Sequence, residues 1–507
     1  MDEQRGTFQK DTGEPVESPG AVKHPGLATK AARGAVTTLG GQVAKALIQM
    51  ASVVILARIL SPSDYGLLAM VAVILGIADL FRDFGLSSAA IQAKNLSHAQ
   101  RGMLFWLNTA LGLALTIIIF ASAPLVAAMY QEPALVPITQ ALSVTFLING
   151  ISTQYRADLN RALRFSRIVV VDITSAAIGL SAGVVLALAG AGYWALVGQQ
   201  LITGLLMLVL VALSGKWMPG WPRRRVPMNG MVRFGADLVA TQLVGYLGRN
   251  ADTFIIGVRF GPSPLGLYNR AFQLLMLPLT QLRSAATVVA LPVLSRLQDE
   301  QERMVRFVLA GQLALGYFLV TGLGLVAGAA SPVTAVLLGE KWMELVPVLV
   351  LLAIAAAFQT LAFVGYWVYL SQGLTRALFK YSIAESALTV LCVVVGSQGG
   401  IIGVAAGFAV AQAINWPLSL WWLSRCSGLP IASLYAGAFR IMATAVAVGL
   451  AAHGTVLLLG AVHPVLSLAA ASAAAVLAMA IMALVIPHIR RDLVVVAGLG
   501  RRALSRG

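Results

Sequence analysis

The sequence predicts an all-α polytopic membrane protein of about fourteen transmembrane helices, and three observations predict it. Of 507 residues, 58% are hydrophobic and 11% charged, whereas an average soluble chain is about a quarter charged. So little charge cannot coat a water-exposed surface. Apolar runs of membrane-spanning length, roughly 17 to 25 residues, recur from Val36 to Pro487 with short polar breaks. The runs are continuous rather than alternating, and where no water can satisfy the backbone this selects helices over a closed barrel.

The breaks justify each span in turn. Span 35–60 ends at Ser61-Pro62-Ser63-Asp64, and 65–90 follows it. Span 102–128 begins after Lys94 and Arg101, and 134–155 after Glu132. Span 168–189 follows Arg156, Arg161, Arg164 and Arg167, and 192–213 follows Gly190. Span 231–257 follows Lys216 and Arg223-Arg224-Arg225, with Arg233 at its start, and 265–294 follows Pro262. Span 306–330 follows Arg296, Arg303 and Arg306; span 345–371 follows Glu340 and Lys341. Spans 377–397 and 400–424 begin after Arg376 and Gly399, Lys380 lying just inside the first. Spans 432–460 and 464–487 begin after Arg425 and His463, with Arg440 early in the former.

The formal charge of +16 is segregated. Alternate connections, around Asp64, Glu132, Gly190, Pro262, Glu340, Gly399 and His463, carry only Arg259 and Lys341 as cations. By the positive-inside rule the basic set is cytoplasmic, and so are both termini. The basic clusters set topology and touch lipid headgroups, so no nucleic acid is expected as a partner.

Comparing residue n with n+200 across 42–67 pairs Gln42/Gln242, Leu47/Leu247, Ala51/Ala251, Ile55/Ile255, Pro62/Pro262, Ser63/Ser263, Gly66/Gly266 and Leu67/Leu267. Helices 1 and 7 are then equivalents running in one direction, as in parallel repeats about an axis along the membrane normal. The expected organisation is a disordered cytoplasmic tail (1–34) and an N-terminal six-helix lobe (35–213). A basic cytoplasmic linker (214–230) and a C-terminal six-helix lobe (231–424) follow. A terminal helix pair (425–487) and a basic cytoplasmic tail (488–507) complete the chain.

No phosphate-loop motif and no H-E-x-x-H helix occur, and the connections are too short for an external catalytic domain. The histidines are scattered, and no cofactor is expected. Cys392 and Cys426 show no metal or redox spacing and read as packing residues. Glycine spacings such as Gly322-Leu323-Gly324 before Gly328, or Gly399, Gly400, Gly403 and Gly407, lie inside apolar helices and read as close packing, not nucleotide binding.

Charge inside the bilayer costs about 2.5 to 3.5 kcal/mol at a helix centre, so each such residue needs a partner, water or a use. On helix 7, Asp237, Gln242, Arg249 and Asp252 share an arc of about 140°. On helix 1, Gln42, Lys45, Gln49 and Ser52 share about 80°, with Arg58 off it. On helix 8, Arg270, Gln273, Thr280, Gln281 and Ser284 fall together while Arg283 falls away. Asp79, Arg82 and Asp83 are spaced for an ion pair, as are Arg249 and Asp252. Asp158, Asp172 and Glu385 lie nearer helix ends, where snorkelling suffices. Cavity candidates for substrate binding are Arg249, Arg270, Lys45, Arg82, Asn250, Asp252, Gln42, Gln49 and Gln242. A cationic lining suits a diphosphate, whereas Asp79, Asp83, Asp237 and Asp252 keep open proton-coupled export of cationic drugs.

Residues 234–298 read FGADLVATQLVGYLGRNADTFIIGVRFGPSPLGLYNRAFQLLMLPLTQLRSAATVVALPVLSRLQ. Phe234-Gly235, Asn250-x-Asp252 before Ile255-Ile256-Gly257, Gly266-x-Tyr268-Asn269-Arg270-Ala271, Pro278 and Pro292 carry a family pattern. A weaker counterpart is Ala57-Arg58-Ile59-Leu60-Ser61-Pro62-x-Asp64-Tyr65-Gly66 with Asp83-Phe84-Gly85-Leu86. The chain thereby resembles the Wzx-type lipopolysaccharide and exopolysaccharide flippases of the multidrug/oligosaccharidyl-lipid/polysaccharide exporter superfamily. The resemblance implies a transporter, not an enzyme, of the bacterial inner membrane. It would move undecaprenyl-diphosphate-linked oligosaccharide from the cytoplasmic to the periplasmic leaflet by alternating access; H+ and Na+ are the candidate coupling ions, and the sequence does not choose between them. Polysaccharide polymerase and chain-length machinery are the implied partners besides membrane lipids. A multidrug antiporter of the same superfamily is the alternative.

Overall fold

A computed structural model describes residues 25–83, 98–215, 218–220, 229–460 and 462–504. Phe84-Gly85-Leu86, Lys94, Lys216 and Arg223-Arg224-Arg225 lie outside the described residues, as do the side chains of Asp83, Arg233 and Asp237. The first helices are α1 (Pro25–Ile59), α2 (Pro62–Asp83), α3 (His98–Tyr130), α4 (Leu135–Arg161), α5 (Phe165–Leu188) and α6 (Trp194–Ser214). Then come α7 (Asn229–Phe260), α8 (Pro262–Arg296), α9 (Gln301–Leu315), α10 (Thr321–Gly328) and α11 (Ala330–Leu337). A π turn at Gly316–Val320 joins α9 to α10, and a 3-10 turn at Glu340–Leu345 leads to α12 (Val346–Ser371). The chain continues through α13 (Thr375–Gly396), α14 (Gly400–Ser427), α15 (Ala432–Leu459), α16 (Pro464–Val485) and α17 (Pro487–Leu504). No strand occurs among the described residues.

Twelve stretches of the described residues are long and apolar enough to cross a membrane. The stretch Thr375–Ser427, at 53 residues, far exceeds the roughly 20 that cross a bilayer once. Gly400 divides it with φ +70°, a conformation open to glycine, and α13 and α14 fold back on each other. The 32-residue α7 is not among the twelve. The expected fourteen is reached only by counting α13 and α14 separately and adding α7.

The tails differ from expectation. Helix α1 begins at Pro25, inside the stretch read as a disordered tail, because Ala28, Ala31, Ala32 and Ala35 favour helix there. The basic C-terminal tail contains α17, which buries Ile489 and Asp492. Arg440 of α15 donates to Asp492 from Nε at 2.7 Å and Nη2 at 3.1 Å, and the Tyr317 hydroxyl donates to it at 3.1 Å. These bonds hold α17 against α15 and the π turn.

Helices α1 to α6 pack in one group through α3 on α4, α5 on α6, α1 on α5 and α4 on α6. Helices α7, α8, α12, α13 and α14 pack in a second, through α12 on α14, α8 on α12 and α7 on α13. Helix α15 closes against α10 and α16. Small residues set these approaches: a Cβ on Gly324 or Gly328 would overlap the Ala445 or Gly449 carbonyl, and one on Gly403 the Gly396 carbonyl. Gly324, Gly328 and Gly403 therefore serve close contact, as does Gly407 against the Cys392 carbonyl, whereas a Cβ on Gly322, Gly399 or Gly400 would meet open space.

Ion pairs replace snorkelling at two sites. Asp172 accepts both Arg156 amines, at 2.7 and 2.8 Å, and Asp158 pairs with Arg101 at 2.9 Å. Neither cysteine forms a disulfide; Cys392 is half-buried, and Cys426 is exposed rather than packed.

Candidate functional site

The two helix groups meet at the ends of α2 and α8, where the repeat was legible. A Cβ on Gly66 would overlap the Pro262 carbonyl, and one on Gly266 would overlap the Pro62 carbonyl. Equivalent residues exchange partners, the signature of a local two-fold relation. A bulkier residue at either position would force the backbones apart.

A second set of contacts caps this end. The Trp342 indole donates to the Ala57 carbonyl at 2.8 Å, and Lys341 Nζ donates to the Arg58 carbonyl at 2.9 Å. Arg58 in turn donates to the Val336 carbonyl. Trp342 is fully buried, with its ring edge-on to Tyr65 at 5.6 Å. The connection between α11 and α12 thus packs onto the end of α1 and the start of α2. Deeper in, the Tyr246 hydroxyl donates to Val73 O at 3.1 Å, and Tyr130 lies edge-on to Phe254 at 6.0 Å. Val73 is eleven residues into α2, so these contacts reach about 17 Å from the Pro62 turn.

Arg270 belongs to this closed end. Its guanidinium sits 3.7 Å above the Tyr65 ring, the residue is 7% exposed, and its Nε has no hydrogen-bond partner. Helical phase grouped it with a cavity stripe, but the α2 contact buries it. Sequence phase fixes the face of a helix and not the depth at which a neighbour covers that face. Further along α8, Thr280, Gln281 and Ser284 are exposed, so the rest of the stripe opens away from the contact.

Between α1 and α8 runs a groove of about 350 Å³ whose lining includes Gln42, Gln49, Pro278 and Gln281. Lys45 is half-buried and does not line it. Gln242 and Arg249 are exposed on α7, and Arg249 lies within electrostatic reach of Glu385. Arg283, which phase set aside, instead lines two openings of the second helix group. It donates to Thr360 Oγ1 at 2.6 Å and lies over Phe363 at 5.4 Å. Glu385, read as a snorkelling residue, is half-buried in the same recess. Summing polar residues across helices, rather than along one, was the signal that would have found them.

The remaining candidates are held by neighbours. Arg82 pairs with Asp79 at 2.6 Å, as their spacing predicted. Asn250 donates to Tyr246 O at 2.9 Å within its own helix. Asp252 does not pair with Arg249. It is 5% exposed and accepts from the Tyr268 hydroxyl at 2.6 Å and from Thr253 N at 2.7 Å, joining α7 to α8. Tyr268→Phe removes the Oδ2 partner of that buried carboxylate while Thr253 keeps Oδ1, and a loss of about 1–3 kcal/mol is expected. A lowered thermal midpoint of the purified protein measures it; an unchanged midpoint counts against this role. No group of His, Cys, Asp and Glu among the described residues could hold a metal ion.

A family profile described as "Polysaccharide biosynthesis protein" matches residues 55–347. The chain is 28% identical over 383 residues to the lipopolysaccharide biosynthesis protein WzxC of Escherichia coli (strain K12), covering 74% of this chain and 76% of that one. It is also 28% identical over 384 residues to the teichuronic acid biosynthesis protein TuaB of Bacillus subtilis (strain 168), covering 74% and 79%. Among solved structures, the inward closed conformation of the lipid II flippase MurJ superposes with a TM-score of 0.69 at 13% identity. That match covers 91% of this chain and 99% of the other, and it establishes a shared fold.

Proposed function

Because this chain belongs to the polysaccharide biosynthesis protein family, we propose that it moves an undecaprenyl-diphosphate-linked oligosaccharide between bilayer leaflets by alternating access. It acts as a transporter and performs no covalent chemistry on its cargo. The observation that carries this reading is the one-ended closure. Both helix groups meet at Pro62 and Pro262, while Gln42, Gln49 and Gln281 line a groove away from that contact, and Gln242 and Arg249 are exposed on α7.

The positive-inside rule gives this geometry a direction. The basic connections and both termini face the cytoplasm, so the closed end faces the periplasm and the openings face the compartment where lipid-linked sugars are assembled. Arg249, exposed on α7, supplies a cation for the diphosphate, and Lys45 on α1 is a second candidate. Guanidinium suits phosphate because its donors match two oxygens at once. The α1–α8 groove leaves a lateral path along which the lipid chain stays in the bilayer while the headgroup enters. Opening at the periplasmic end then requires Trp342 to leave Ala57 and Gly66 to part from Pro262. H+ or Na+ is the coupling ion we assign to this cycle. The product is handed to polymerase and chain-length machinery on the far side.

Deletion tests the proposal. Loss of surface polysaccharide with accumulation of lipid-linked repeat units is expected. Unchanged polysaccharide with altered drug tolerance would replace the proposal with the antiporter reading.

A further inference from the structure

The second helix group contains a recess of about 310 Å³ between α8, α12, α13 and α14. Its lining is unlike both the α1–α8 groove and the lipid-facing surface. Four aromatic rings line it: Tyr369 and Tyr381 stack at 6.5 Å with 13° between planes, and Phe363 and Tyr366 at 5.9 Å with 26°. Polar groups line it too, and three buried atoms among its lining residues have no hydrogen-bond partner: Arg283 Nε, the Tyr369 hydroxyl and Asn415 Oδ1. Tyr369 and Asn415 are each 1% exposed. Their neighbours are satisfied only in part. Asn415 Nδ2 donates to Thr389 Oγ1 at 3.4 Å, and Arg283 Nη2 to Thr360 Oγ1 at 2.6 Å.

A buried polar atom left unpaired costs about 1–3 kcal/mol. Three around one recess, among them a donor, an acceptor and a hydroxyl that is both, call for an occupant carrying donors and acceptors at short spacing. Charge narrows the choice. Arg283 and Glu385 line the same recess, so its net charge is near zero, and a diphosphate there would meet the Glu385 carboxylate. A pyranose ring meets every requirement: its hydroxyls donate and accept, and its C–H face lies against aromatic rings. The volume falls in the range of small-ligand sites.

We infer that this recess is a sugar subsite, holding one pyranose residue of the lipid-linked oligosaccharide through Tyr369, Asn415 and Arg283. The inference rests on the transport reading and adds where the protein reads the glycan. The lipid diphosphate is gripped by cations at the opening. The ring is read inside the second helix group, and selectivity for one repeat unit over another resides there.

The test uses the full chain in nanodiscs and two probes, sugar-free undecaprenyl diphosphate and lipid-linked oligosaccharide extracted from the producing cells. The wild type is expected to bind the glycosylated lipid about tenfold more tightly or better. Tyr369→Phe, which removes only an unpartnered hydroxyl, and Asn415→Leu should each cut that ratio to about threefold or less. Their binding of the sugar-free lipid should stay unchanged, which also reports that they fold. If both lipids bind and neither variant changes the ratio, the recess holds water alone and the inference falls while the transport reading stands. If the wild type binds neither lipid, both fall.

Discussion

Gly66→Val is expected to abolish polysaccharide export, and Gly266→Val to do the same. Each valine would place side-chain carbon on the carbonyl of the opposite proline, Pro262 or Pro62. In a close-packed contact such overlap is relieved only by backbone shift, at a typical cost of about 1–3 kcal/mol or more. That cost falls on the closed state alone, because separated helices have room for the methyls. An equilibrium displaced by about 3 kcal/mol changes more than a hundredfold, so a transporter that must revisit the closed state stalls. The signature is equivalence across the repeat: two substitutions 200 positions apart give one phenotype. Surface polysaccharide measured at matched membrane levels is the readout. Normal export with either valine would show that the α2–α8 contact is not part of the cycle.

Arg283→Ala and Arg249→Ala are expected to lower flipping roughly tenfold to a hundredfold, the range for losing a hydrogen bond to a charged group. Arg270→Ala should act differently. Its guanidinium stacks on Tyr65 across the helix-group contact, an interaction worth about 2 kcal/mol when desolvated. Its loss weakens the closed end and leaves affinity for the diphosphate lipid intact. Leaflet-exchange rates and lipid affinities of the three variants separate the roles. Equal loss of affinity in all three would return Arg270 to the binding set, as helical phase alone had ranked it above Arg283.

Much of the fold was legible because the bilayer leaves few choices. Hydropathy marks a helix wherever a run is long enough. The repeat pointed at Pro62, Gly66, Pro262 and Gly266, and those residues form the reciprocal contact. The site was less legible. Helical phase put Gln42, Gln49 and Arg249 on polar stripes, and all three are exposed, a property that depends on one helix at a time. It misplaced Arg270 and overlooked Arg283 because burial depends on the helix alongside: α2 covers the one, and α12 to α14 frame the other. The Asn250-x-Asp252 motif drew attention for its charge, yet Asp252 is held by Tyr268 sixteen residues on. One turn of sequence cannot show a partner on the next helix.

Reconstitution measures directly whether this chain carries a lipid-diphosphate oligosaccharide across the bilayer. Purified protein is placed in liposomes containing that lipid, and a membrane-impermeant glycan-modifying enzyme is added outside. The modifiable fraction is expected to rise with time beyond the outer-leaflet share, and Gly66→Val to abolish the rise. A fraction that stays at the level of protein-free liposomes, with correctly folded protein present, would contradict that transport.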